Sequence, residues 1–423
     1  MQQNILTVGL ILAAIAGGQT AYPVQTVTLE QAVQEAVAKN LDLAAEKLNV
    51  SVAEAREITA RLRPNPVLTV SGQSLNLLGA KYTPDTPFGP NQLNIHTDFP
   101  IERGRKREER IAVAKEEKSL TELGVREAMR QVIAGVQSGY VDVQQAKQNL
   151  QLAQENLRSL EGVVTINEAR LKSGDLAQVE LERSRVAALQ YRAAEQQAQL
   201  QLDQAKTQLQ QLMGRKVKSP AFDVAGEMRR DGVIDSPVEI ERLALMRRPD
   251  FLANQQSQAR SQADLRLQIA NGKVDYTIGT EFTRQSAWGI SGNSVGLYFS
   301  MPLRVFNKNQ GEIARAQREI RLAGARTEAL DASINTEVEK AYRQYTVSKQ
   351  LLTSVETDMI AKAKSVRDTT EYSYRRGEAS LIQFLDAQRA FNDTMQTFND
   401  ARANYSRSLY LIDTVSGATV SGS

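Results

Sequence analysis

The chain has 423 residues, enough for two or three ordinary domains, and carries 52 basic against 49 acidic groups, a net charge of +3. So small an excess argues against a nucleic-acid binder, which would gather basic residues on one face. The absence of cysteine excludes disulfides, thiolate metal sites, cysteine nucleophiles and a lipid on an N-terminal cysteine, and any His-based metal site or Ser-His-Asp triad would have to run through the single histidine, His96.

In chain order, the first feature is the apolar run from Ile5 to Gly18. It is too short to span a bilayer as a helix and reads as the core of a secretory signal over residues 1–21, although no Lys or Arg precedes it; a buried N-terminal segment is the alternative. No later stretch is long and apolar enough for a membrane helix. Period-two segments come next. Val67 to Leu77 alternates loosely, whereas Leu93, Ile95, Thr97 and Phe99 alternate cleanly with Gln92, Asn94, His96 and Asp98. They predict a strand pair over about 67–100, joined by a polar loop rich in Gly and Pro, with His96 as a polar-face residue rather than a ligand. Pro100 marks the expected change from strand to helix.

A helix is then predicted from about 104 to about 172. Val143, Leu150, Leu157, Val164 and Leu171 recur every seven residues. At 1.5 Å per residue this helix is roughly 100 Å long, more than a compact domain holds, and a sustained spacing of seven means a coiled coil. The breaker "LKSGD", with Gly174, predicts a tight turn into a returning helix along Leu181, Ala188, Leu202 and Leu209, interrupted by Glu195. Residues 215–236 separate this hairpin from the second half.

The second half says the same things again. Val274 to Phe282 and Val295 to Met301 predict a strand pair over about 274–302, closed by Pro302. Val338, Tyr345, Leu352, Met359 and Val366 form the next heptad series, "YRRGE" with Gly377 the next turn, and Phe384, Phe391, Tyr405 and Ile412 the returning series. The offset between halves is 202 from Pro100 and Pro302 to Val164 and Val366, but 203 at Gly174 and Gly377, so one residue is inserted between. The chain thus divides into a signal (1–21), two repeats (22–214 and 237–413) around the linker, and a tail (414–423). Simple antiparallel coiled coils and half-buried soluble hairpins would give the same local patterns. If the strands cross a membrane, however, four of them cannot close a barrel, and open edges are forbidden in lipid, so the chain must oligomerise.

With these parts in place, "RPNPVLTVSG" (63–72), "RRPDF" (247–251) and "MPLRVFNKNQGEIARAQ" (301–317) give a chain that resembles the TolC-like outer membrane efflux protein family. "DFPIERGRKREERIAVA" is similar to the P-I-E-x-G-G-K-R segment of the CzcC-like heavy-metal branch, with Arg105 in place of the second glycine. The resemblance implies a mainly α fold with a membrane β-barrel. Three copies, each giving four strands, would form a 12-stranded barrel continued by a coiled-coil periplasmic tunnel, with the 215–236 linker and the tail after about 413 in a less regular belt around its middle. It also implies an exit duct for an inner-membrane transporter and a periplasmic adaptor (membrane fusion protein), contacting outer-membrane lipid, with no cofactor, no nucleic acid and no catalytic site. Heavy-metal cations are the expected cargo; a drug or small-molecule duct, a type I secretion duct, or a soluble periplasmic adaptor are the alternatives. Carried over residue by residue, Asp386 falls on the second carboxylate of the family's entrance constriction, while Gln383 departs from the first. Glu180 and Tyr374 fall on latch positions and are expected to hydrogen-bond, an unconnected exposed Glu and a packed Tyr being the alternative. Arg170, Lys172, Gly174 and Asp175, with Arg375, Arg376, Gly377 and Glu378, form the tips that meet the adaptor, or else are plain solvated turn residues. Pro100 and Pro302 are the strand-to-helix corners.

Overall fold

The structure is a computed structural model that describes residues 25–73, 91–216, 219–230, 234–287 and 290–418. The expected signal and nearly all of the first strand-pair loop lie outside the described residues. The described chain opens with a short strand, β1 (Gln25–Val27), and two helices, α1 (Leu29–Lys39) and α2 (Leu41–Arg61). Thr28 and Gln31 form a reciprocal capping box on α1, and Asn40 ends α1 while accepting from Leu43 N to cap α2. Strands β2 (Val67–Gln73) and β3 (Asn91–Ile101) follow, then the long helices α3 (Lys106–Ser173) and α4 (Gln178–Leu212). After β4 (Phe222–Val224) the order is α5 (Pro237–Arg247), α6 (Pro249–Asn271), β5 (Tyr276–Ala287), β6 (Ile290–Ser300), α7 (Gln310–Ser354), α8 (Ile360–Arg376) and α9 (Leu381–Ser416).

Four strands make one antiparallel sheet in the order β2-β3-β5-β6. Its register sorts the side chains by chemistry. Ile95 lies opposite Phe282, Phe99 opposite Ile278 and Phe282 opposite Val295, which collects Val70, Leu93, Leu297 and Phe299 on the same face. His96 lies opposite Glu281, with Thr69, Asn94, Thr283 and Tyr298 on the other face. There His96 stacks on Tyr298, with ring centroids 4.3 Å apart, and shares a 2.9 Å hydrogen bond with Asp98. The apolar side chains are exposed, and among the described residues the outer edges of β2 and β6 have no strand partner.

The apolar core is threaded along the helices instead. Val136, Tyr140, Val143 and Leu150 of α3 pack on Ala198, Leu202 and Leu209 of α4, and Val338, Ala341 and Tyr345 of α7 pack on Ala401, Tyr405 and Leu409 of α9. A belt crosses both at mid-height. β1 pairs with β4 in parallel, and the buried Tyr140 hydroxyl donates to Val27 O and accepts from Ala225 N. Arg215 grips Glu35 at 2.6 Å and holds its carboxyl below the ordinary range. Buried Arg248 bridges Asp250 and Glu337, each at 2.6 Å.

Three expectations change. Pro100 does not end its strand: it lies opposite Thr277, and β3 runs on to Ile101. Past Val67 β3 has no β2 partner, so a proline there sits on an edge, where its missing N–H breaks no ladder. The corners are also longer than expected. Helix α3 begins at Lys106 and α7 only at Gln310, each behind a left-handed residue, Arg105 (φ 62°) and Asn309 (φ 65°). Finally, Met359 and Val366 are exposed. The helix makes a π turn at Val355–Met359, and the seam of Val338, Tyr345 and Leu352 continues one residue late through Ile360, Arg367 and Tyr374. A π turn holds one extra residue, so it absorbs the change of offset from 202 to 203. Arg367 then stacks on Phe391 of α9 at 4.0 Å. On α3, Leu157, Val164 and Leu171 are half-buried while Asn156, Leu160, Val163 and Asn167 are buried, because α3 packs on both α4 and α9 and needs a seam for each.

Candidate functional site at the hairpin tips

Both turns close by the same local physics. Gly174 and Gly377 each take φ 83°, which lets Asp175 N reach Arg170 O at 2.8 Å and Glu378 N reach Ser373 O at 2.9 Å. A side chain at either glycine would strain this left-handed link. Arg170, Asp175, Glu180, Tyr374 and Arg376 come together around one cleft of about 570 Å³ between the turns. Lys172 is exposed and does not line this cleft. Arg375 pairs with Glu371 at 2.6 Å, and Arg376 donates to Tyr372 Oη at 3.0 Å and lies near Glu378.

The bond expected between Glu180 and Tyr374 is not made. The Tyr374 hydroxyl donates to Asn167 Oδ1 at 2.6 Å, and Glu180 pairs with Arg183 on its own helix at 2.8 Å. The physical reason is burial. Tyr374 is buried with Leu160 and Val163 of α3 and Leu381 and Phe384 of α9, stacked on Phe384 with centroids 5.5 Å apart, and an amide one helical turn from Arg170 is the polar group within reach. Burial pushes the tyrosine's pKa up, so the hydroxyl keeps its proton as a donor. Arg170 is not a free contact either. Its guanidinium donates to Tyr374 O at 3.2 Å and Arg375 O at 3.1 Å, where the last carbonyls of α8 favour a cation. Arg170 and Tyr374–Asn167 therefore tie the end of the first hairpin to the end of the second.

Gln383 faces its own helix start. It forms a capping box with Ser380, the side chain accepting from Ser380 N at 2.8 Å and the backbone N–H donating to Ser380 Oγ at 3.3 Å. The S-x-x-Q spacing of "SLIQ" carries that signal in the sequence. Asp386 is exposed on α9, with Arg389 loosely beside it at 3.8 Å. Sequence reading missed the buried amides. Asn156 joins Gln388 at 2.8 Å and Asn392 at 2.6 Å across the α3–α9 seam, and Asn399 joins Asn149 at 2.8 Å. Polar residues at inward helical positions were the available sign. Among the described residues no group of three or more His, Asp or Glu is arranged to hold a metal ion.

A sheet with one exposed apolar face, set on two long helical hairpins joined at their tips, is the architecture of an outer membrane channel protein. Comparison with known proteins identifies the family: residues 32–215 and 241–418 match the model described as outer membrane efflux protein, and the chain belongs to that family. Its place is the outer membrane, with the helices extending into the periplasm. It is 24% identical to the cobalt-zinc-cadmium resistance protein CzcC of Cupriavidus metallidurans, over 86% of this chain and 83% of that protein. It is 29% identical to the pyoverdine export outer membrane protein OpmQ of Pseudomonas putida, over 61% of this chain and 56% of that protein. The crystal structure of CusC superposes with a TM-score of 0.75 at 20% identity, covering 93% of each chain.

Proposed function

We propose that three copies of this chain form a passive exit duct, a 12-stranded barrel continued by a helical tunnel, for an inner-membrane transporter and its periplasmic adaptor. One observation carries the reading. In the sheet and at two levels of the helices, the described residues form an open arc whose two margins have no partner within the arc. In the sheet the margins are β2 and β6. Beside the sheet the helices contact in the order α2, α3, α6, α7, and towards the tips in the order α4, α3, α9, α8. The margins carry exposed apolar stripes: Leu41, Leu48, Val52 and Ile58 on α2, Val179, Val186 and Leu200 on α4, and Leu322, Leu351 and Val366 on α7 and α8. Each stripe needs a partner that one chain does not hold. One margin always comes from the first half and the other from the second, so head-to-tail association closes a ring. No helix among the described residues is long and apolar enough to cross a membrane, and the sheet, apolar on one face, is the element suited to lipid.

The two repeats, 22–214 and 237–413 about the 215–236 linker, supply a ring with six similar units from three chains. The duct needs no catalytic residue; it holds a water-filled path with His96, Asp98, Glu281 and Thr283 facing it. The tips meet the adaptor, and Asp386, repeated three times, favours cations at the entrance. Heavy-metal cations are the proposed cargo, supported by the likeness to CzcC over most of the chain. Export of a small organic molecule is the second reading, supported by OpmQ. Deleting the gene and surveying sensitivity separates them: metal-ion hypersensitivity is expected, and sensitivity to organic compounds alone refutes the metal reading. Native mass spectrometry of the detergent-extracted protein tests the trimer, and a soluble monomer refutes the duct.

A further inference from the structure

The corner after β6 exposes Leu303 (77%), Val305 (66%) and Phe306 (90%) within four residues. Single exposed apolar residues are ordinary, but a cluster of this kind marks a contact surface. The segment is built rather than frayed. Arg304 donates to Gly272 O, Gln310 Nε2 to Phe306 O at 3.1 Å, and Asn309 Nδ2 to Gln268 O at 2.8 Å. These bonds fix the backbone and leave the three side chains pointing at nothing.

At the opposite margin, at the foot of β2, lies a cleft of about 380 Å³. Pro64, Pro100 and Ile101 give it apolar walls, and the charged groups of Arg63, Arg105, Lys106 and Arg107, with the carboxylates of Glu102 and Glu108, line the rest. Pro64 and Pro66 stiffen the chain on one side, and Arg107 Nε, donating to Arg61 O at 2.6 Å, braces another. An aromatic ring suits such a site, since the prolines and Ile101 give it apolar contact and guanidinium groups stack on its face.

We infer that this corner is a staple between copies, with Phe306 of one copy seated in the cleft at the foot of β2 in the next. The inference rests on the ring reading above. Connectivity places the two parts together: β6 runs toward the helices and β2 runs away from them, so antiparallel pairing of these edges sets the residues after Ser300 beside those before Val67. Phe306 is therefore a subunit anchor at the level where barrel becomes tunnel.

Because the chain has no cysteine, the test has no background. Arg63→Cys and Phe306→Cys are combined in one chain, purified in detergent and treated with a short bismaleimide, while native mass spectrometry reports the oligomer. Covalent dimers and trimers from the double variant, and none from either single variant, are expected. A trimer that does not cross-link overturns the staple and leaves the ring; a monomer overturns both. A nitroxide on Phe306→Cys in liposomes should be shielded from dissolved oxygen and from water-soluble relaxing agents. High oxygen accessibility would place the segment in lipid and overturn the inference. Phe306→Ala should lower the temperature at which the trimer dissociates, and no shift counts against an anchoring role.

Discussion

Replacing Tyr374 with Phe removes one hydroxyl and keeps the ring stacked on Phe384. The cost can be worked from the surroundings. Tyr374 is 3% exposed and Asn167 is fully buried, with Nδ2 already lacking a partner. Loss of the 2.6 Å bond would leave the amide with no partner on either atom. An unpaired buried group of this kind costs about 1–3 kcal/mol. In a parted tip water reaches Asn167 in both proteins, so the penalty falls on the joined arrangement alone. The ratio of joined to parted tips should therefore drop by roughly 5- to 150-fold. Single-channel recording in planar bilayers should show raised resting conductance for Tyr374→Phe. Glu180→Gln should leave it unchanged, because Glu180 pairs with Arg183 and not with Tyr374. Tyr374→Phe combined with Asn167→Leu removes both partners and should restore much of the closed state. Unchanged resting conductance in Tyr374→Phe would refute the tie as a gate, and an effect of Glu180→Gln of the same size would restore the latch first expected.

Asp386→Asn should weaken cation selectivity, read as a reversal potential nearer zero in a salt gradient; no shift removes Asp386 from the entrance ring. Arg105→Gly relieves a left-handed backbone at an exposed position and should stabilise the protein by about 0.5–1 kcal/mol, seen as a higher thermal midpoint. A lower midpoint would mean that the arginine's place in the corner cleft outweighs the strain. Burial alone would raise the pKa of Asp250, but the guanidinium groups of Arg248 and Arg130 hold it below the ordinary value. The stability it contributes is present above the ordinary aspartate range and is lost as pH falls through the lowered value. Thermal stability should decline steeply under those acid conditions in the wild type and less steeply in Asp250→Asn; equal slopes would dismiss the belt as an acid-sensitive element.

Much of this molecule was legible in local pattern. Alternation placed the strands and Gly174 and Gly377 placed the turns, because period, handedness and capping are properties of a few adjacent residues. The capping box that joins Ser380 to Gln383 is equally local, written in the S-x-x-Q spacing at the start of α9. The Tyr374–Asn167 bond was not legible in this way. Its partners are 207 positions apart, and nothing near either one names the other.

By itself, the sequence carried strand pairs and long helices with heptad spacing in both halves of the chain, since those periods are written in consecutive residues. It also determined that one extra residue separates the two heptad series. Only the tertiary structure decided where that residue goes, which is a π turn at Val355–Met359 that keeps the seam turned toward α9. Only packing could choose, because the helix can take up an added residue at many points, and the neighbour it must face sets which one keeps the seam buried.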